Sequence, residues 1–227
     1  MYHHFICLKS ISVLEELLNG VGNMMNYYEY TNSNNWTGGY YELSIEFHTV
    51  GNNKRINNAL IALQNCHFFN GIWQERENLQ RNTISLPIKI ENDSVNTFYG
   101  TVFISDEISL PCVITIIRTE EESDWLDIAI PQAILEKIYP YKYPLTKELN
   151  PWLEKVDDVL IKLAEMIYKH SPFDLAMIGE EVSGYTNQQD ITLEYLDRIT
   201  CIIPVELQNR LGVRGKGQRL SDQLRVY

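Results

Sequence analysis

Residues 40–48 read YYELSIEFH, in which Tyr41, Leu43, Ile45 and Phe47 alternate strictly with Glu42, Ser44, Glu46 and His48. Successive side chains of an extended chain point to opposite faces, so a period of two predicts a strand with one apolar face and one polar face. Glu42, Glu46 and His48 share the polar side, and an E-x-H pair with a distant third ligand is a pattern that can bind a transition metal. No H-x-x-x-H, H-E-x-x-H or cysteine-rich partner accompanies it. The expectation is therefore a half-buried strand with a solvated outer face and no metal.

Reading outward, the turn VGNN leads into KRINNALIALQNC, where Ile56, Leu60 and Leu63 recur at helical spacing beside Ala59 and Ala62. That is a helix laying one face on the sheet. Four strand candidates follow: TISLPIKI (83–90), FYGTVFI (98–104), CVITIIRT (112–119) and WLDIAI (125–130), joined by polar turns. Short connections between consecutive strands predict an antiparallel meander, with Pro87 suiting an edge strand. Pro131 opens a second helix, PQAILEKIY, and a tyrosine and proline linker, YPYKYPLTKELNP, follows it. The third helix is expected from Pro151 to about His170, capped by Asn150, with Leu153, Val156, Leu160, Leu163 and Ile167 on one stripe. FDLAMI (173–178) then reads as a strand. CIIPVELQNRLG (201–212) repeats the order of apolar strand, proline and helix seen in IAIPQAILEKIY (128–139).

The expected fold class is α+β: a mixed, largely antiparallel sheet flanked by three or more helices, in a single domain spanning residues 1–227. With 227 residues, 44% of them hydrophobic, the chain can bury a large core. Residues 1–24 are read as an N-terminal extension: ISVLEELLNG forms a short helix, and Met24 and Met25 offer an alternative start. Residues 213–227 are read as a flexible basic tail, with Arg214, Lys216, Arg219 and Arg225 against Asp222. That net +3 leaves −14 on the rest of a chain whose total charge is −11. An acidic field repels phosphate backbones and anionic lipid, which excludes nucleic acid and favours a basic protein partner. No apolar run reaches the roughly 18 residues of a membrane span. The four scattered cysteines, Cys7, Cys66, Cys112 and Cys201, form no C-x-x-C pair and suit a reducing cytoplasm.

Three features carry chemistry. In PFDLAMIGEEVSGY (172–185), a strand delivers Glu180 and Glu181 to a glycine turn, with Asp174 upstream. A divalent cation or general-base role there, aided by His48, gives the alternative reading of a metal-assisted hydrolase. The two carboxylates can share a site only if the turn breaks the strand alternation. The hairpin RTEEESDW gathers Glu120, Glu121, Glu122 and Asp124 beside Trp125, and YPYKYP adds Tyr141; with Glu180 and Glu181 these form the expected partner-binding set. Finally, GVRGKGQR resembles a phosphate loop in composition but fits neither G-x-G-x-x-G nor the P-loop spacing. No cofactor is expected. Ser183 lacks the G-x-S-x-G spacing, and no cysteine has an electropositive, exposed setting.

GYYELSIEF, DWLDIAIPQAILEKIY and PFDLAMIGEEVSG, on an acidic α+β chain without an assembled catalytic motif, resemble in type the immunity proteins of bacterial polymorphic toxin systems. The resemblance implies a non-enzymatic, cytoplasmic inhibitor of a basic toxin, and the abundance of Asn, Ile and Tyr, all served by AT-rich codons, fits a low-GC bacterium or its phage. A structural or assembly subunit is the third reading.

Overall fold

The computed structural model describes residues 30–77, 83–120 and 122–227, so the expected N-terminal extension, Cys7 and Glu121 lie outside the described residues. The chain is α+β. Its strands are β1 (Tyr40–Phe47), β2 (Phe69–Trp73), β3 (Ser94–Phe103), β4 (Ser109–Arg118), β5 (Asp124–Pro131), β6 (Leu175–Glu180), β7 (Thr200–Pro204), β8 (Gln218–Arg219) and β9 (Leu224–Val226). The helices are α1 (Asn53–Gln64), α2 (Gln132–Ile138), α3 (Leu153–His170), α4 (Leu193–Leu196) and α5 (Val205–Leu211). All nine strands among the described residues join one sheet in the order β2-β3-β4-β5-β1-β6-β7-β9-β8, and every described pairing is antiparallel.

β1 is the middle strand, flanked by β5 and β6. Its apolar face, Tyr41, Leu43, Ile45 and Phe47, meets α1 through Ile56, Ala59, Leu60 and Leu63 and α3 through Val156, Leu160 and Leu163 in the main core. Each fully buried Leu or Ile there contributes about 1.5–3 kcal/mol relative to exposure. Its other face is buried too, which corrects the expectation of a solvated one. A second apolar cluster sits on that side, built from Trp125, Leu175, Met177, Val182, Ile191, Cys201, Ile203, Leu207 and Val213.

Several local expectations change. TISLPIKI forms no strand beyond a single bridge from Thr83 to Trp73. Instead Asn57 of α1 grips the segment, donating from Nδ2 to the Ile88 carbonyl at 3.0 Å and accepting at Oδ1 from the Ile88 amide at 2.7 Å. The edge next to β3 is taken by β2, FNGIW, whose interrupted pattern of small and polar residues hides the strand from a period-two reading. Pro131 and Pro204 each end a strand and begin a helix, so the two strand–proline–helix segments have the same local form. The basic tail is not flexible: β8 and β9 form a hairpin paired to β7, with Leu224 and Val226 in the main core. Its glycines serve that hairpin. Gly217 has φ +69°, and a Cβ there would stand 2.5 Å from the Val226 carbonyl oxygen.

Asn150 does not cap α3, whose N-cap position is taken by Trp152. It is wholly buried and ties the Tyr-Pro linker together, accepting from the Lys142 amide at 2.8 Å and donating to the Lys142 carbonyl at 2.7 Å. Asn150→Ala removes both bonds and leaves a gap where a wholly buried side chain had joined the linker, and should cost about 2 kcal/mol in urea unfolding, whereas a simple cap would cost about 1.

Candidate functional site

The polar face of β1 is buried because residues 181–191 run back over it as a strap. Glu181, at φ +52°, turns the chain at the end of β6. The Ser183 amide then donates to Glu42 Oε1 at 2.6 Å and the Ser183 hydroxyl to Asp127 Oδ2 at 2.8 Å. Asp127 also accepts from the Ser44 hydroxyl at 2.6 Å. At the far end of β1, the Gln188 amide donates to Glu46 Oε2 at 2.5 Å. Val182 and Ile191 anchor the strap in the second apolar cluster. Burial pushes Glu42 up to about 7 and Glu46 and Asp127 above the usual carboxylate range, against the opposing pull of their hydrogen bonds.

Where the strap reaches Glu46 it leaves a cleft of about 460 Å³ against the β4–β5 turn. Glu46, Glu122 and Asp190 supply carboxylates to its walls, and Trp125, Tyr185 and Tyr195 supply rings. Tyr185 and Tyr195 meet edge to face, with centroids 5.3 Å apart and planes at 88°. In the same lining, the Ser123 hydroxyl donates to Glu46 Oε1 at 2.6 Å and lies 3.3 Å from His48 Nδ1. This chain runs histidine, serine, carboxylate. The serine proton is therefore directed to the acid and not to the imidazole, the reverse of what an activated nucleophile needs. The buried thiols do no better, since burial pushes Cys201 up to about 12 and Cys112 upward as well.

The expected site residues fall at two ends of β1. Glu180, paired with Tyr41, accepts from Gln132 Nε2 at 2.7 Å, while Glu181 accepts from the Tyr40 amide at 2.9 Å. Tyr141, half-buried, reaches the same Gln132 through its hydroxyl at 3.3 Å. Together these residues latch the start of β1 to α2 and the end of β6. Asp174 lies at the start of β6, bonded to the His48 amide at 2.8 Å and to Arg55 at 2.9 Å. Six residues of strand put it about 20 Å from Glu180, so the hydrolase set does not converge. No group of three His, Cys, Asp or Glu side chains able to hold a metal exists among the described residues.

The hairpin set divides as well. Glu120 and Glu122 are exposed at the turn, and Trp125 lines the cleft. Asp124 is wholly buried in a forked ion pair with Arg118 and presents nothing to a partner. Sequence reading missed Ser123, Asp190, Tyr185 and Tyr195. One signal was available: Asp127 interrupts the otherwise apolar WLDIAI at a position facing Ser44, so a carboxylate inside a central strand marks a polar interior that something must cover.

Comparison with protein-family models, curated proteins and solved structures gives no significant match. No helix among the described residues is long and apolar enough to cross a membrane.

Proposed function

We propose that this protein is an acidic binding module that neutralises or regulates a basic protein partner, in the manner of an immunity protein. The cleft beside the β4–β5 turn is the observation that supports this reading: three carboxylates and the rings of Trp125, Tyr185 and Tyr195 line it, with His48 as the one basic side chain and no lysine or arginine. Acidic walls steer a basic partner by long-range attraction, and rings in a desolvated pocket hold it after contact. The exposed large apolar side chains among the described residues are Ile61 on α1, Val95 on β3, Tyr143 and Leu149 in the linker, Tyr185 on the strap and Leu193 on α4, a spread over five segments that does not favour an assembly subunit held by one apolar patch.

The test is co-purification of the tagged protein from its host at low and moderate salt, with mass spectrometry of what elutes. A stoichiometric basic partner is expected that weakens with salt, and Glu120→Lys/Glu122→Lys should slow its association by roughly tenfold at low salt while leaving dissociation nearly unchanged. Capture of no basic partner, or association insensitive to both salt and charge reversal, would remove the binder reading.

A further inference from the structure

We infer that the cleft is a receptor for an arginine side chain presented by the partner. This rests on the binder reading and adds the chemistry of the contact at the same site. Two features of the wall point to a polar ligand, and the first of them to a cation. Glu46 is 1% exposed, accepts only from the neutral Ser123 hydroxyl and Gln188 amide, and joins no ion pair among the described residues. Glu42 and Asp127 on the same face are also held by neutral donors, but of the three only Glu46 lines the cleft, beside His48, and a cation entering there would give it the counter-charge that Arg118 gives Asp124 one strand away. Thr186, on the strap beside it, is 7% exposed and its hydroxyl has no hydrogen-bond partner. Such orphaned groups are rare in folded proteins.

The remaining walls select the cation. Tyr185 and Tyr195 at right angles, with Trp125 near, offer both ring faces and edges. A guanidinium is planar and weakly hydrated, so it stacks on a ring while its fork of N–H groups reaches carboxylates; an ammonium is compact and strongly hydrated and gains less from the same wall. Glu122 and Asp190, exposed in the same lining, offer carboxylate oxygens to those donors, Asp190 Oδ2 already accepting from Asn187 Nδ2 at 2.8 Å, and Thr186 belongs to that lining too. The volume lies within the range of about 300–1,000 Å³ usual for ligand sites, leaving room for bridging water.

The probes are N-acetyl-arginine amide and its uncharged isostere N-acetyl-citrulline amide, titrated into ¹⁵N-labelled full-length protein. Saturable millimolar shifts confined to the Gly184, Thr186 and Gln189 amides and the Trp125 indole are expected with the arginine compound, and none with citrulline. Tyr195→Ala and Asp190→Asn, each confirmed as folded by its own spectrum, should each weaken the response roughly three- to tenfold. Equal shifts with citrulline, shifts scattered over the surface, or unaltered binding in both variants would overturn the inference. Salt-sensitive partner capture with a silent titration would sink the arginine receptor and leave the binder reading standing. Cleft shifts without any basic partner would remove the binder reading and the partner-borne arginine with it, leaving only a site for free guanidinium compounds.

Discussion

Asp124→Asn should lower the unfolding free energy by about 3–5 kcal/mol, although asparagine has nearly the same size. Asp124 is fully enclosed at the start of β5, and its two oxygens accept from Arg118 Nε at 2.7 Å and Nη2 at 2.8 Å. Oδ2 also accepts from the Gly51 amide at 3.1 Å, tying the loop before α1 to the sheet. Arg118 completes its shell with the Ile90 carbonyl at 2.9 Å and Asn53 Oδ1 at 2.5 Å, so one guanidinium gathers β4, β5, α1 and the segment before β3. Removing the carboxylate charge leaves a buried cation facing an amide that must present one donor to it, and burying an unmatched charge is far costlier than losing the pair altogether. The double variant Arg118→Met/Asp124→Leu should therefore recover most of the loss, and Glu122→Gln on the same turn should stay within about 0.5 kcal/mol of wild type. Urea unfolding of the three proteins decides the matter. A silent Asp124→Asn would return this residue to the surface role that its acidic neighbours suggest.

Glu42→Gln should do the opposite and stabilise the protein, in a way that depends on pH. In the folded chain the Glu42 carboxyl is pushed from 4.5 up to about 7, first by burial, with Asp127 and Glu181 adding like charge against the amides of Ser183 and Val182. A carboxyl whose pKa is raised on folding holds its proton more tightly in the native state. Its favourable contribution is complete below about pH 4.5 and is lost as pH rises through about 7. At pH 8 the native state carries a buried, poorly solvated carboxylate, at a cost on the order of 3 kcal/mol. Glutamine keeps an oxygen for the Ser183 amide without the charge. The variant should gain roughly 1–3 kcal/mol at pH 8, seen as several degrees in Tm, and almost nothing at pH 4. The informative quantity is the difference between variant and wild-type curves, because Glu46 and Asp127 impose their own pH dependence on both. A variant less stable at pH 8 than wild type would mean that the strap is held by the negative charge on Glu42 and not merely by its shape.

Both effects arise on polar residues of strands that periodicity alone identifies, and this is where sequence and structure part. Alternation in YYELSIEFH, the i, i+3, i+4 stripe of Leu153 to Ile167 and the prolines at 131 and 204 are local properties of neighbouring residues. Short-range geometry turns them directly into β1, α3 and the two strand–helix junctions. The α+β class and the antiparallel β3-β4-β5 meander follow from the same signals, because short connections leave adjacent strands little choice of partner.

Tertiary structure alone decided what covers each face. Nothing within Glu42, Ser44 and Glu46 distinguishes a solvated face from a buried one. The difference is a strap arriving from about 140 residues away, whose Ser183 and Gln188 amides supply donors that no side-chain pattern reveals. The same holds for RTEEESDW, where one acid of a uniform cluster, Asp124, is drawn inside by Arg118 while Glu120 and Glu122 stay in water. Composition gives a net charge of −11 and nothing of where that charge is gathered. It took the fold to gather Glu46, Glu122 and Asp190 around three aromatic rings, since those residues come from separate segments and meet only when the sheet has placed β1 beside β5 and the strap has closed over both.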